Sequence, residues 1–275
     1  MSYKINTFVA TRKAVVSNER RLSICLGTDG FSFAERSSHG ELLSLCEVTC
    51  DLDGAMATLV GDLRGVLAEA NIQPVGYGAC ELLVPSRLFV WVPEHLYDAS
   101  RERSYLEALG KVPAGSVIYS SYCEVLKSWM VFAVEQSAVS AFKIAITGLK
   151  VHCLHEKLVN ETVMEQSAER SLLMMHLRKG ATDFAVISNK KLLMSNSYDC
   201  ANVDEALYHA LNITKEFHLE EMPMRVALCG DVDRAVYGRI RPFFPEVVLY
   251  AGRPLKLAEP EMQQQPLYRH ALILS

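Results

Sequence analysis

The sequence lacks the short signatures that carry the commonest enzyme chemistries. It has no nucleophile elbow (GxSxG), no phosphate loop (GxxxxGK(S/T)) and no dinucleotide fingerprint (GxGxxG). The glycines of GYGACE at residues 76–81 have no helical sequel that would turn them into a phosphate grip. No CxxC pair occurs, and no stretch reaches the roughly 18 apolar residues a membrane helix needs. The longest apolar run, Trp129 to Val134, is strand-sized. The opening MSYKINTFVATRK lacks an uninterrupted apolar segment and a small-residue cleavage site, so no secretory signal is expected and the chain is assigned to the cytoplasm. With 28 basic and 32 acidic residues the formal charge is −4, which excludes the basic surface of a phosphate-backbone binder. Nucleic acid and a membrane span are therefore not expected partners.

What is present suffices for a large core, since 50% of the residues are hydrophobic. Cys25, Cys46, Cys80, Cys123, Cys153 and Cys229 lie in apolar, strand-like runs and read as buried thiols. His152, Cys153 and His155 in VHCLH would split between the two faces of a strand and have no second ligand pair at zinc spacing, so no metal site is expected.

From Arg21, RLSICLGTDGFSFAER places two apolar runs around Gly27-Thr28-Asp29-Gly30. Asp-Gly tolerates the positive φ of a tight turn, which predicts antiparallel strands over residues 22–27 and 31–36. ELLSLCEVTC supplies a third strand; Met56, Leu59, Val60, Leu63, Val66 and Leu67 then fall at helical spacing, with Asp51 or Asp53 as cap. The order recurs further along: strands over residues 171–178, 182–188 and 191–198, and a helix over 203–217 capped by Asn202. Each copy runs on into an apolar strand, residues 77–84 and 224–229. Between the copies lie a strand (88–92), a charged helix (99–110), paired strands (116–122 and 129–134), a helix (135–148) and a strand (150–154). The repetition predicts two subdomains, 1–165 and 166–275, meeting near Glu165 in the polar NETVMEQSAER. After the second copy Asp233 can cap DRAVYGRIRPFF, and residues 255–269, rich in Pro and Gln, read as an irregular surface crossing before ALILS.

Two βββα units over roughly residues 20 to 250 resemble the superfamily of actin, the sugar kinases and the seventy-kilodalton heat-shock chaperones. The resemblance implies an α/β, actin-like ATPase (ribonuclease H-like) fold with two related βββα-containing subdomains flanking a cleft. Within it the chain is most similar to reduced bacterial members: pilus-assembly scaffolds of actin-like fold and an uncharacterised domain-of-unknown-function family. In active relatives the first hairpin carries Asp-hydrophobic-Gly-Thr, whose carboxylate holds hydrated magnesium; the matching text here is Cys25-Leu26-Gly27-Thr28. The second carries Asp-hydrophobic-Gly-Gly-Gly-Thr, matched by His176-Leu177-Arg178-Lys179-Gly180-Ala181. Both magnesium carboxylates are thus replaced, and neither thiol nor imidazole suits a cation that prefers hard oxygen ligands. Gly27, Thr28, Gly30, Lys179, Gly180 and Gly230 would line a vestigial nucleotide cleft, with Arg178 and Lys179 expected to neutralise Asp29 across it.

The resemblance implies a degenerate actin-like ATPase fold of unknown function, working without catalytic residues or cofactor as an interaction or assembly module for an unidentified protein partner. The alternative is a divergent nucleotide-binding ATPase or phosphotransferase using ATP with magnesium. There Gly27, Thr28, Gly30 and Gly180 cradle phosphates, and Asp29 or Asp183 supplies the metal oxygen. A third reading is a small-ligand binder at the lobe junction. Asp29, Glu35 and Asp183 read as solvated acids near the turns, and Glu81 and Glu94 as edge charges.

Overall fold

The computed structural model describes residues 3–10, 20–50, 60–167, 170–253, 255–257 and 266–275. Its first sheet is built from β1 (Tyr3–Ala10), β2 (Arg20–Leu26), β3 (Gly30–Ser37) and β4 (Glu41–Cys50). β1 was not anticipated from the sequence pattern; it adds antiparallel to β4 with Tyr3 opposite Cys50. Alternation along β4 sends Cys46, Val48 and Cys50 into one core and Leu43 and Leu45 into another, so this strand is buried on both faces. Helix α1 (Leu63–Glu69) buries Leu63, Val66 and Leu67; the predicted caps Asp51 and Asp53, with Met56 and Leu59, lie outside the described residues. β5 (Ala79–Val84) then pairs parallel to β2.

The next stretch forms a small sheet of its own, in the order β6-β8-β7: β6 (Leu88–Pro93), β7 (Ser116–Cys123) and β8 (Ser128–Glu135). Helix α2 covers part of its outer face and spans only Glu102–Glu107, shorter than the charge pattern predicts, the stretch before it being a single 3-10 turn capped by Asp98. Helix α3 (Gln136–Ala145) leads to β9 (Leu149–Cys153), parallel to β5, which completes the order β1-β4-β3-β2-β5-β9.

A helix, α4 (Leu154–Glu165), starts directly at the end of β9. The second sheet follows: β10 (Ser171–Arg178), β11 (Ala181–Ser188), β12 (Lys191–Asp199), helix α5 (Val203–Glu216), β13 (Met224–Gly230), helix α6 (Arg234–Ile240) and β14 (Val247–Leu249). Its order β12-β11-β10-β13-β14 repeats, strand for strand, β4-β3-β2-β5-β9 of the first sheet. Both predicted caps act: Asn202 accepts from the N–H groups of Asp204 and Glu205, and Asp233 from that of Val236. The stretch after α6 returns to the first lobe, where β15 (Lys256–Leu257) pairs parallel to β4. The residues of ALILS, expected only as an apolar finish, form a short helix, α7 (Ala271–Leu274), buried at every position.

α4 and α7 are the filling between the two sheets. Leu43, Leu45 and Leu83 of the first sheet, Leu154, Leu158 and Val159 of α4, and Met174, Ala185 and Cys229 of the second belong to one apolar cluster that also takes in Ala271 to Leu274. The lobes therefore share this apolar cluster, beside one of their own in each sheet. Polar groups of this layer are matched in part: Glu161 of α4 is 1% exposed and accepts from the Tyr250 hydroxyl and the Arg253 guanidinium, and Arg36 donates through Nη1 to the Leu274 carbonyl while its Nε finds no hydrogen-bond partner among the described residues. Among the described residues no helix is long and apolar enough to cross a membrane.

Leu158 is fully buried at the centre of this layer. Leu158→Ala is expected to destabilise the whole chain by about 2–5 kcal/mol, read as a lower denaturant midpoint common to both lobes. Separate transitions for two halves would contradict a shared core.

Candidate functional site

The carboxylate positions of the two hairpins lie on equivalent rows of the two sheets. In the first, register aligns Leu83, Cys25, Ser32 and Glu47 across β5-β2-β3-β4; in the second it aligns Cys229, His176, Asp183 and Ser197 across β13-β10-β11-β12. Residues i and i+2 of a strand share a face, so His176 and Arg178 both flank Asp183. Arg178 Nε and Nη2 lie 2.8 and 3.0 Å from Asp183 Oδ2 and Oδ1, a bidentate clasp. His176 Nδ1 lies 3.0 Å from Oδ2; since an ionised carboxylate only accepts, that nitrogen carries the proton. The Ser197 hydroxyl donates to Oδ1 at 2.7 Å. His155 of α4 brings Nε2 to 3.4 Å of Oδ1, its Nδ1 meeting Ser195 Oγ at 3.0 Å and its ring stacking on Phe89 at 4.2 Å.

Asp183 is 0% exposed, so its reading as a solvated acid is overturned. Burial alone would raise its carboxyl, but the hydrogen bonds and charges of His155, His176 and Arg178 outweigh that and hold it well below the usual carboxylate range. The signal was present in the sequence: β11 reads ATDFAVIS, an acid within an otherwise apolar strand, facing an i, i+2 pair of basic residues on β10. The sequence pattern ends the strand at Leu154, just before His155; in the structure the strand ends at Cys153 and His155 lies in the first turn of α4, which aims it across the lobe junction.

Above this cluster the two hairpin turns touch each other. Thr28 Oγ1 donates to the Lys179 carbonyl at 3.0 Å, and Lys179 Nζ sits 3.2 Å from Asp29 Oδ2. Among the described residues Lys179 alone pairs with Asp29; Arg178, expected to share that task, is committed to Asp183. Two further ion pairs ring the mouth, Arg87 with Asp199 and Arg269 with Asp231. Directly between the turns the cavity is about 100 Å³ and is lined by Cys25, Gly27, Thr28, Gly30, Lys179 and Gly230, among others, while a wider hollow of about 1030 Å³, lined by Thr28, Arg87, Gln136 and Arg178 among others, opens beside it. Small-molecule pockets run to about 300–1,000 Å³. Gly180 faces a neighbouring hollow of about 380 Å³ beside Asn202 and Val203.

Two of these glycines are required by the protein's own backbone. A Cβ on Gly30 would lie 1.8 Å from the Val48 carbonyl oxygen of β4. One on Gly230, whose φ is +84°, would lie 2.0 Å from the Leu177 oxygen of β10. Their presence is explained without any ligand.

The donor set does not fit hydrated magnesium with a nucleotide. Burial pushes the Cys25 thiol up to about 12, so it stays a neutral thiol. His176 is bound to Asp183, and the Asp183 oxygens are taken by Arg178, His176 and Ser197. Glu81, read as an edge charge, is largely buried: it accepts from Ser23 at 2.7 Å and pairs with Lys157 at 3.3 Å. Glu35 is 8% exposed, taking the Tyr77 hydroxyl. Glu94 is exposed. Cys25, Cys46, Cys80, Cys123, Cys153 and Cys229 carry free thiols.

The sheet order, the doubled hairpins and the cleft between them define a protein of actin-like ATPase fold. Solved structures agree. A protein with actin-like ATPase fold and unknown function from Bacteroides thetaiotaomicron aligns over 92% of this chain and 96% of its own, with TM-score 0.73 and 19% identity. A chain of the PilM–PilN type IV pilus biogenesis complex aligns over 92% and 97%, with TM-score 0.61 and 14% identity. The ethanolamine utilization protein EutJ from Carboxydothermus hydrogenoformans reaches TM-score 0.50 at 8% identity over 97% and 93%. More narrowly, residues 11–247 match the model of the family described as "Protein of unknown function (DUF3822)", and the chain belongs to that family. No curated protein matches it in sequence.

Two predictions follow from the cluster and the cleft wall. Asp183→Ala leaves Arg178 buried without its counter-charge and should lower unfolding free energy by about 3–5 kcal/mol, whereas Asp29→Ala, which breaks an exposed pair, should cost less than about 1 kcal/mol. Guanidinium unfolding curves compare them. His270, on the same cavity wall, has its imidazole lowered to about 4 by burial and then by the Arg269 charge. The unfolded chain takes that proton near 6.5, so it binds more protons than the folded chain between these values, and stability falls as the pH drops from 6.5 to 4. Denaturation series across that window should show a shallower slope for His270→Asn than for the parent.

Proposed function

We propose that this chain is a non-catalytic member of the actin-like fold, serving as an interaction or assembly module for a protein partner. The observation that carries the reading is the contact between the two hairpin turns. Groups that grip phosphate in active relatives here bond to each other through Thr28, Lys179 and Asp29. The Lys179 ammonium supplies the positive charge that would otherwise come with a magnesium ion, and no metal or nucleotide is required to bring the lobes together. The replacement of both magnesium carboxylates by Cys25 and His176, and the commitment of Asp183 to Arg178, support the same reading. So does the PilM–PilN complex, in which a protein of this fold is bound to a protein partner. On this reading the chain arose by internal duplication, its units meeting near Glu165, with the last segment returning to the first lobe.

A second reading, a divergent nucleotide binder, is favoured by the open space beside the turns: a hollow of about 1030 Å³ bordered by Thr28 and Arg178, and one of about 380 Å³ beside Lys179, Gly180 and Asn202. Isothermal titration with Mg-ATP separates the two. The module reading expects no binding heat up to millimolar nucleotide for the parent chain and for Lys179→Ala alike. Micromolar binding that Lys179→Ala abolishes would establish the second reading in its place.

A further inference from the structure

The small sheet inserted in the first lobe carries a feature that the cleft does not use. Its outer face bears Val92, Trp129 and Tyr122 in one cross-strand row, Val90, Val131 and Ser120 in the next, and Leu88, Ala133 and Ile118 in the third. α2 covers the latter rows, Leu106 packing fully buried with Val131, Ala133 and Val92. The Trp129 row extends beyond the helix. There Tyr97 stacks on Trp129 at 4.2 Å and 9°, Tyr122 tilts against it at 5.5 Å, and Tyr105 continues the series beside Tyr97 at 6.4 Å. All four rings are only half-buried. The β7–β8 turn meets the loop after β6 at this end, the Glu94 N–H donating to the Lys127 carbonyl, and each presents an apolar side chain to solvent: Leu96 is 61% and Val125 45% exposed. Partly exposed aromatics with neighbouring apolar side chains are the composition of interface centres, not of an ordinary loop surface.

Three acids stand at the rim of this patch, with Lys127 and Arg101 beside them. The Tyr122 hydroxyl donates to Glu94 at 3.0 Å, and the Tyr97 hydroxyl to Glu102. Glu124 lies in the adjoining turn. Among the described residues none of Glu94, Glu102 and Glu124 forms an ion pair, while nearby Glu107 is already taken by Arg103. The patch thus offers π faces flanked by carboxylates that lack a counter-charge. Such a surface attracts cations, and a guanidinium above all, because it stacks on a ring and forks to a carboxylate with the same plane. The protein performs a small version itself, Arg101 lying 6.0 Å over the Tyr105 ring.

We propose that the Trp129 end of the small sheet is the docking surface for a basic, arginine-bearing segment of a protein partner. The inference rests on the interaction-module reading and names the partner's chemistry. Arginine side chains of the segment lie over Trp129 and Tyr122, with their charges met by Glu94, Glu102 and Glu124, and its apolar side chains contact Leu96 and Val125.

The test uses the full chain and a fluorescein-labelled ten-residue peptide of alternating arginine and serine, followed by anisotropy. The parent is expected to bind it in the micromolar range, more weakly as salt rises and more weakly again when lysine replaces arginine. Glu94→Gln with Glu124→Gln keeps the hydrogen-bond acceptors and removes the charge, and should weaken binding about fivefold. Glu220→Gln with Glu221→Gln, an equal change of charge on a distant exposed turn, should leave it unaltered. No binding by the parent, or equal weakening by the two double variants, overturns the proposal. Either result leaves the module reading standing if Mg-ATP still fails to bind, whereas nucleotide binding lost in Lys179→Ala removes that reading whatever the peptide does.

Discussion

A carboxylate taken out of water must find its counter-charges within hydrogen-bond reach, and Asp183 is the place where this chain meets that demand. It sits on β11 with Arg178 and His176 beside it on β10, Ser197 across on β12 and His155 arriving from α4. Those partners come from the two neighbouring strands and from the helix between the lobes, so one ionised group ties the second sheet to the interlobe layer. Because it is fully buried, the arrangement is nearly all-or-none: each partner is tolerable inside the protein only because the others are present.

The same commitment decides what the cleft is able to do. With Arg178 turned inward to Asp183, Lys179 is the side chain left to cross to Asp29, and Thr28 completes the contact between the turns. The exposed Lys179–Asp29 pair is weak by itself. What holds the lobes in register is the apolar layer beneath it, in which α4 and α7 fill the space between the sheets. The electrostatic contacts at the mouth select a closed geometry that the packing already favours.

Much of the architecture was legible along the chain because it depends on local periodicity. The repeat of three alternating strands and an amphipathic helix, and the caps Asn202 and Asp233, each express the backbone's own requirements within a few residues, whereas the first hairpin turns without the positive φ expected at Asp29-Gly30. β1 escaped notice because a single edge strand has no repeated partner to mark it, and α7 because four apolar residues at the end of a polar stretch carry too short a pattern for any period to be read. Asp183 was misread for a different reason. An acid near a turn is usually solvated, and only the apolar run on either side of it hinted otherwise.

The sequence by itself therefore determined the α/β class and the doubled βββα order, since residue identity and spacing are its direct content. Tertiary structure alone decided which charges meet. Cross-strand register placed Arg178 on Asp183 instead of Asp29, and the packing of α4 between the sheets delivered His155 to the same carboxylate. Such pairings depend on distances between segments far apart along the chain, and a one-dimensional pattern of residue types holds no record of those distances.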